Sequence, residues 1–269
     1  MDINYELYKV FYYVADTLSF SEASKQLFIS QSAVSQSIKA LEKKLDQVLF
    51  IRSTKKVQLT PEGEILLRHI EPAINLIKRG ESQIMETAST GGQIRIGASD
   101  TICRYFLVPY LERFHKAFPN AHIKVTNATS IKCTELLENG QVDLIVANYP
   151  NVYLGSLASF RKIRDFHDVF IANQSFAELQ GKKLSLKELQ RYPIIMLDRK
   201  STTSEFLHSL FQQHQLDLVP EIELSSNDLL IDLARIGLGI AFIPDYCVPK
   251  NSDQLFVVQT EEQLPKRQL

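Results

Sequence analysis

Over the first sixty residues, apolar positions recur with the period of packed helices. Leu7, Val10, Phe11, Val14 and Leu18 fall at steps of three and four, which predicts a helix over about 5–18. Ser19 and Glu22 stand at capping-box spacing and predict a second helix, with small Ala23 on its apolar face and Leu27 closing it. A third helix, from about Gln31, places Val34, Ile38, Leu41 and Leu45 on one stripe. Its other face carries Ser35, Gln36 and Lys39. Short hydroxyls, an amide and a cation suit phosphates and base edges in a major groove and do not suit a core. Two helices joined by a tight turn, with such a face on the second, predict a helix-turn-helix that binds DNA. Leu49–Arg52 and Lys56–Leu59 then read as a hairpin with Ser53, Thr54 and Lys55 at its tip, a wing beside the reader.

Thr60, Pro61 and Glu62 open a further helix with a hydroxyl cap, a proline at the first helical position and acid in the first turn. It is expected to run to about Ala88. Leu66, Ile70, Ala73, Ile77, Ile84 and Ala88 form its stripe, interrupted at Gly80, and Pro72 and Gly80 should bend or soften it. A second copy of the chain is the simplest partner for that stripe; packing on its own domain is the alternative.

Past the small linker Ser89–Gly92 the pattern changes to alternating strands and helices. Gln93–Ala98, His122–Asn127 and Val142–Ala147 read as strands, with helices over Ile102–Phe118 and Ile131–Glu138. A second such unit follows: strands at Asp168–Ala172, Ile194–Leu197, Ile222–Leu224 and Gly239–Ile243, with helices over Thr203–Gln213 and Asp228–Ile236. Leu255–Val258 reads as a strand returning to the first unit. Alternation of this kind predicts parallel sheets with helices on their faces, and two such lobes enclose a cleft outside the carboxyl ends of the strands. The expected division is 1–60 for the DNA reader, 61–90 for a dimerising helix and 91–269 for an effector domain. Within the last, 91–163 and 255–269 form one lobe and 164–254 the other.

The formal charge of −1 looks wrong for a DNA-binding chain until it is divided. Up to Thr60 eight cations face six carboxylates, and beyond it 22 face 25, so the basic excess is local. The N-terminus is amphipathic and carries acids, unlike a signal peptide, and no segment has the length and apolarity of a membrane span. A cytoplasmic protein is expected. Cys103, Cys133 and Cys247 are odd in number and far apart, as in a reducing compartment, although Cys103 lies near the expected cleft. The six histidines have no metal-ligand spacing and there is no nucleophile–base constellation, so neither an enzyme, a metal site nor a bound cofactor is expected.

The chain resembles the LysR-type transcriptional regulators, a bacterial family. In the reader the resemblance rests on Phe11, Val14, Ser19, Phe20, Ala23, Leu27, Gln31, Ala33, Val34, Ser35, Ile38, Leu41, Glu42, Leu45, Leu49, Phe50, Arg52, Thr60 and Gly63. The C-terminal part matches more loosely, through Gln93–Gly97, Pro109, Phe114, Pro119, Val142–Leu144 and Gly237–Pro244. The resemblance implies an all-α winged helix-turn-helix, a long linker helix and a two-lobed α/β effector domain like a periplasmic binding protein. It also implies a homotetramer, built as a dimer of dimers, and an operator in double-stranded DNA. A regulator of this kind is expected to meet RNA polymerase. Ser32 stands where proline is common and Asp46 where glycine is usual, so that turn is expected to differ locally. Family members also carry a strand and helix beyond the point matching Leu269, so the chain continues or the first lobe closes differently.

For DNA contact the candidates are Gln31, Ser32, Ser35, Gln36 and Lys39, with Arg52 and Lys55 from the wing. Arg52 could instead pair with a carboxylate. For the effector, Ser99 and Thr101 match positions where the family places ligand-binding hydroxyls. Thr129 and Ser130 follow the second strand of the same lobe, and Arg199, Ser201, Thr202, Thr203 and Asn227 come from the other lobe. Hydroxyls and free backbone donors at helix N-termini suit an anion. A small polar metabolite, a co-inducer, is therefore expected; Asp100 argues against an anion and leaves its charge open. A thiol-responsive regulator of the same family and a solute-binding protein are the alternatives.

Overall fold

The structure, a computed structural model, describes residues 3–52, 56–86, 92–154, 159–249 and 254–269. They fall into two compact units, one reaching to the end of the long helix and taking in Glu138–Gln141, the other formed by the remainder from the first parallel strand onward.

In the N-terminal unit α1 (Tyr5–Thr17), α2 (Phe20–Leu27) and α3 (Gln31–Leu45) enclose Val10, Phe11, Val14, Ala23, Val34, Ile38 and Leu41, all essentially inaccessible. Each helix starts on a polar cap. Asn4 accepts from the Glu6 amide, Ser19 from Glu22 and Ser30 from Ala33. Only half of the expected capping box forms. The Glu22 carboxylate turns to Lys25 Nζ at 2.7 Å, and the Ser19 amide donates to Thr17 Oγ1 at 3.3 Å. Asp46 adopts the left-handed conformation (φ 53°) at the end of α3, its amide donating to the Glu42 carbonyl. The turn is thus left-handed, the conformation glycine adopts most readily, because a short polar side chain tolerates that region best among the others. A wing follows, β1 (Phe50–Arg52) paired antiparallel with β2 (Val57–Leu59). Glu42 Oε1 accepts from the amides of Leu49 (2.9 Å) and Phe50 (3.3 Å) and so ties α3 to the wing.

Helix α4 (Pro61–Glu86) is capped by Thr60, whose hydroxyl accepts from the Gly63 amide and donates to the Val48 carbonyl. A Cβ at Gly63 would meet the Leu49 carbonyl oxygen at 2.3 Å, so only glycine lets α4 approach the wing so closely. The stripe on α4 divides. Leu66 and Ile70, with Leu67, pack on the unit's own core, which corrects the expectation that the whole stripe lacks a partner in its own chain. Leu76, Ile77 and Ile84 remain exposed. Ala88 and most of the Ser89–Gly92 linker lie outside the described residues.

The C-terminal unit holds two α/β lobes. In the first, β3 (Gln93–Ala98) leads into α5 (Asp100–Ile102), a π turn (Cys103–Leu107) and α6 (Val108–Ala117). Then come β4 (His122–Asn127), α7 (Ser130–Glu138) and β5 (Leu144–Val146), in a parallel sheet of order β4-β3-β5. The chain crosses at β6 (Asp165–Phe166) into β7 (Asp168–Asn173), β8 (Lys183–Leu184), α8 (Leu186–Leu189), β9 (Ile194–Leu197) and α9 (Thr202–Gln213). β10 (Ile222–Leu224), α10 (Asn227–Arg235), β11 (Ile240–Pro244) and β12 (Leu255–Thr260) complete a sheet of order β10-β9-β11-β7-β12-β8. That sheet is mixed: β7 runs antiparallel to both β11 and β12. Between α10 and β11 the chain turns at Gly237 (φ +84°), where a Cβ would meet Ser175 Oγ at 2.7 Å.

The strand expected to return to the first lobe does not do so there. β12 pairs with β7 and stays in the second lobe, because its alternate residues cover that lobe's core, with Val258 buried beside Phe170. The return comes later, at β13 (Arg267–Gln268), antiparallel to β6. Leu269 then buries itself among Ile96, Ile102, Phe106 and Phe166, in the first lobe's core.

Candidate functional site

The reader's surface is laid out by the period of α3. Gln31, Ser32, Gln36 and Lys39 are exposed and Ser35 half-buried, opposite the buried row Val34, Ile38 and Leu41. A helix presents residues four apart on one face, so the α3 candidates form a row along its outer side. Ser32 shares a hydrogen bond with the capping Ser30 (Oγ···Oγ 2.8 Å). Lys55, expected at the tip of the wing, lies outside the described residues, and of Arg52 only the backbone is described, at the end of β1.

Between the lobes of the C-terminal unit lies a cavity of about 430 Å³. Four helix N-termini open onto it. Ser99 caps α5, its Oγ accepting from the Ile102 amide; Thr101 follows in the first turn. Thr129 accepts from the Lys132 amide at the start of α7, and the Ser130 hydroxyl accepts from the Asn148 amide. From the second lobe Ser201 caps α9, with Thr202 and Thr203 behind it, and Ser226 caps α10 beside Asn227. The first amides of each helix have no intrahelical acceptor, so their dipoles and donors converge on one space. Eight of the nine effector candidates line it. The lobes also touch at its edge: Asn227 Nδ2 donates to Thr101 Oγ1 (2.9 Å), and nearby the Tyr105 hydroxyl donates to Asp228 Oδ1 (2.6 Å).

Arg199 is the exception. It is exposed and does not line the cavity, because the turn after β9 points it to solvent. The buried cation is Arg267, which sequence reasoning missed. Its Nη2 donates to Thr202 Oγ1 and its Nη1 to Thr203 Oγ1, both at 3.0 Å, and to Asp168 Oδ2 at 2.8 Å. Burial pushes the Asp168 carboxyl up while the guanidinium pulls against it. Asn148 and Tyr246 also line the cavity and were missed. Both follow the carboxyl end of a strand, so the rule that found Thr129 and Thr202 would have found them. Arg267 carries no comparable signal.

Burial pushes all three thiols up, Cys133 to about 11 and Cys247 higher still. Protonated thiols are poor nucleophiles, so burial works against a thiol-sensing role for these cysteines. Among the described residues no His, Cys, Asp and Glu group could hold a metal ion, and no helix is long and apolar enough to cross a membrane.

Residues 5–64 match the bacterial regulatory helix-turn-helix proteins of the lysR family, and residues 87–269 match the LysR substrate binding domain. A protein named "Probable RuBisCO transcriptional regulator" from Emiliania huxleyi is 28% identical over 239 residues, covering 86% of this chain and 76% of that one. The "HTH-type transcriptional activator CmpR" of Synechocystis sp. is 28% identical over 240 residues, covering 89% and 78%. Among solved structures, a full-length OxyR variant from Pseudomonas aeruginosa matches with a TM-score of 0.69 at 17% identity, covering 100% of this chain and 88% of that one. CbnR in complex with its target DNA matches with a TM-score of 0.63 at 19% identity, covering 99% and 91%. With a reader matched over its whole length and a two-lobed domain matched to the last residue, the chain belongs to the LysR family of DNA-binding transcriptional regulators.

Proposed function

We propose that a small polar metabolite binds in the cavity between the lobes and sets how the paired readers of an oligomer sit on their operator. The observation that carries this is the convergence of four helix N-termini, two from each lobe, on one space of about 430 Å³. A ligand touching both lobes stabilises whichever interlobe arrangement it fits, and by linkage that arrangement's affinity for DNA changes in the same proportion. The exposed part of the α4 stripe, at Ile77 and Ile84, with exposed Leu76 beside it, supports pairing of two copies through that helix, with a tetramer formed as two such pairs. The protein would work in the cytoplasm, without a cofactor or metal, and meet RNA polymerase at the promoter.

A thermal-shift screen of metabolites against the full chain tests this reading. A hit should bind by calorimetry, alter operator affinity, and lose at least about a hundredfold in affinity when Ser99→Ala and Thr202→Ala are combined. A hit whose affinity is unchanged in that double variant places the effector site elsewhere.

A further inference from the structure

Helix α5, the π turn and α6 follow one another without a break, and the Val108 amide donates to the Cys103 carbonyl, five residues back. Pro109 comes next and has no amide hydrogen for the Tyr105 carbonyl, so the regular helical ladder is interrupted there. Such π turns are rare and are found most often at functional places. This one carries Arg104 and Tyr105. Thr101 and Tyr105, four residues apart, both reach the first turn of α10 in the other lobe.

Tyr105 belongs to both lobes. Half-buried, it packs against the second lobe's cluster of Ile195, Leu230, Ile231 and Cys247. Among the described residues, no other buried or half-buried apolar side chain of the first lobe does so. Its hydroxyl donates to Asp228 Oδ1 at 2.6 Å, a short bond to a charged acceptor. Burial, and after it this hydrogen bond, push the hydroxyl upward from its ordinary value, so it keeps the proton it donates. Arg104 Nη1 also approaches Asp228, at 3.6 Å, but its side chain is 64% exposed and such a pair contributes little. The bond from Asn227 to Thr101 adds a neutral contact beside it.

We infer that Tyr105 is a latch between the lobes: with its ring on the second lobe's core and its hydroxyl on Asp228, it holds the π turn against the start of α10. Thr101 and Asn227, bonded beside it, both line the cavity, so the latch stands at the cavity's rim and fixes how far the lobes part there. Its regulatory consequence rests on the reading of the cavity as the effector site. A ligand that alters the spacing of the lobes works with or against this latch, and the latch sets the free energy that the ligand's differential affinity must match.

The experiment follows hydrogen exchange by mass spectrometry on the full chain. Tyr105→Phe keeps the ring and removes the donor. Amides over 100–107 in the first lobe and 227–230 in the second should then exchange faster together, by roughly tenfold or more. Asp228→Ala should do the same, and the two changes combined should do no more than either alone, because both remove one bond. Arg104→Ala and Tyr153→Phe take away exposed interlobe contacts, to Asp228 and to Glu205, and should alter either segment by less than about twofold. Unchanged exchange, faster exchange in one lobe only, or additive effects would overturn the latch. Operator affinity separates this inference from the effector reading. Where Tyr105→Phe loosens both segments, linkage requires operator affinity to shift with no metabolite added. Loosened lobes with unchanged operator affinity would uphold the latch and contradict the coupling of the cavity to the reader.

Discussion

Arg267 and Asp168 face each other at 2.8 Å, both wholly removed from solvent, and join the end of the chain to the first long strand of the second lobe. Arg267 also lies between the rings of Phe166 (5.3 Å) and Phe206 (5.1 Å). Removing one member of such a pair leaves a buried charge without compensation, at a cost of about 3–5 kcal/mol. Arg267→Met should therefore lower the effector domain's unfolding free energy by about that amount in urea titrations, and Arg267→Met with Asp168→Leu should recover much of the loss. A single variant as stable as the parent would mean that the pair contributes nothing net.

Phe28 is left-handed (φ 56°) and 95% exposed in the turn before α3. A bulky residue there is strained, and its side chain gains almost no burial in return. Phe28→Asn should raise the stability of the N-terminal unit by about 1 kcal/mol. Calorimetric melting of the two chains side by side checks this, and an unchanged or lowered transition would show that the aromatic ring is held by contacts that offset the strain.

The α4 stripe gives a cleaner test of assembly than its sequence suggested. A charge at Ile70 would disturb the reader's own core, whereas Ile77 is 58% exposed and clear of it. Ile77→Asp should split the oligomer in sedimentation while leaving the helical circular dichroism unchanged. Sedimentation as the parent species would remove α4 as the interface.

The thiols provide a pH test. Because burial raises the Cys133 thiol to about 11 and also raises Cys103, both stay protonated at neutral pH. Thiolate appears only as pH rises toward the raised value, so alkylation by iodoacetamide in the folded protein should be slow at about pH 7 and accelerate above about pH 9. Mass spectrometry at each pH follows it. Rapid modification of Cys103 at neutral pH would revive the thiol-sensor alternative.

The sequence made the reader legible because local periodicity and caps decide it. Val34, Ile38 and Leu41 turned inward as their spacing required, and Ser19 and Thr60 took up their caps. The carboxyl-end rule likewise found hydroxyls from both lobes around one cavity. What failed was non-local. Leu255–Thr260 is as strand-like as expected, but its partner lies about eighty residues away and no local feature names it. Arg199 and Arg267 are chemically alike, and proximity to a strand end pointed to Arg199, which is exposed; Arg267 is the buried one, through Asp168, 99 residues distant, and neither lines the cavity. The α4 stripe is continuous in sequence, and only the packing of α1–α3 divides it into a covered and an open part.

Sequence-specific reading by α3 is the claim on which the rest depends, and fluorescence anisotropy tests it most directly. A duplex selected by the chain from a random library is titrated against its scrambled counterpart at one salt concentration. The selected duplex should bind roughly 10³-fold or more tightly. Gln36→Ala should lose about 1–3 kcal/mol on the selected duplex and almost nothing on the scrambled one. Lys39→Ala should weaken both alike and lower the salt slope by about one unit. Equal loss on both duplexes for Gln36→Ala would contradict base readout by this face of the helix.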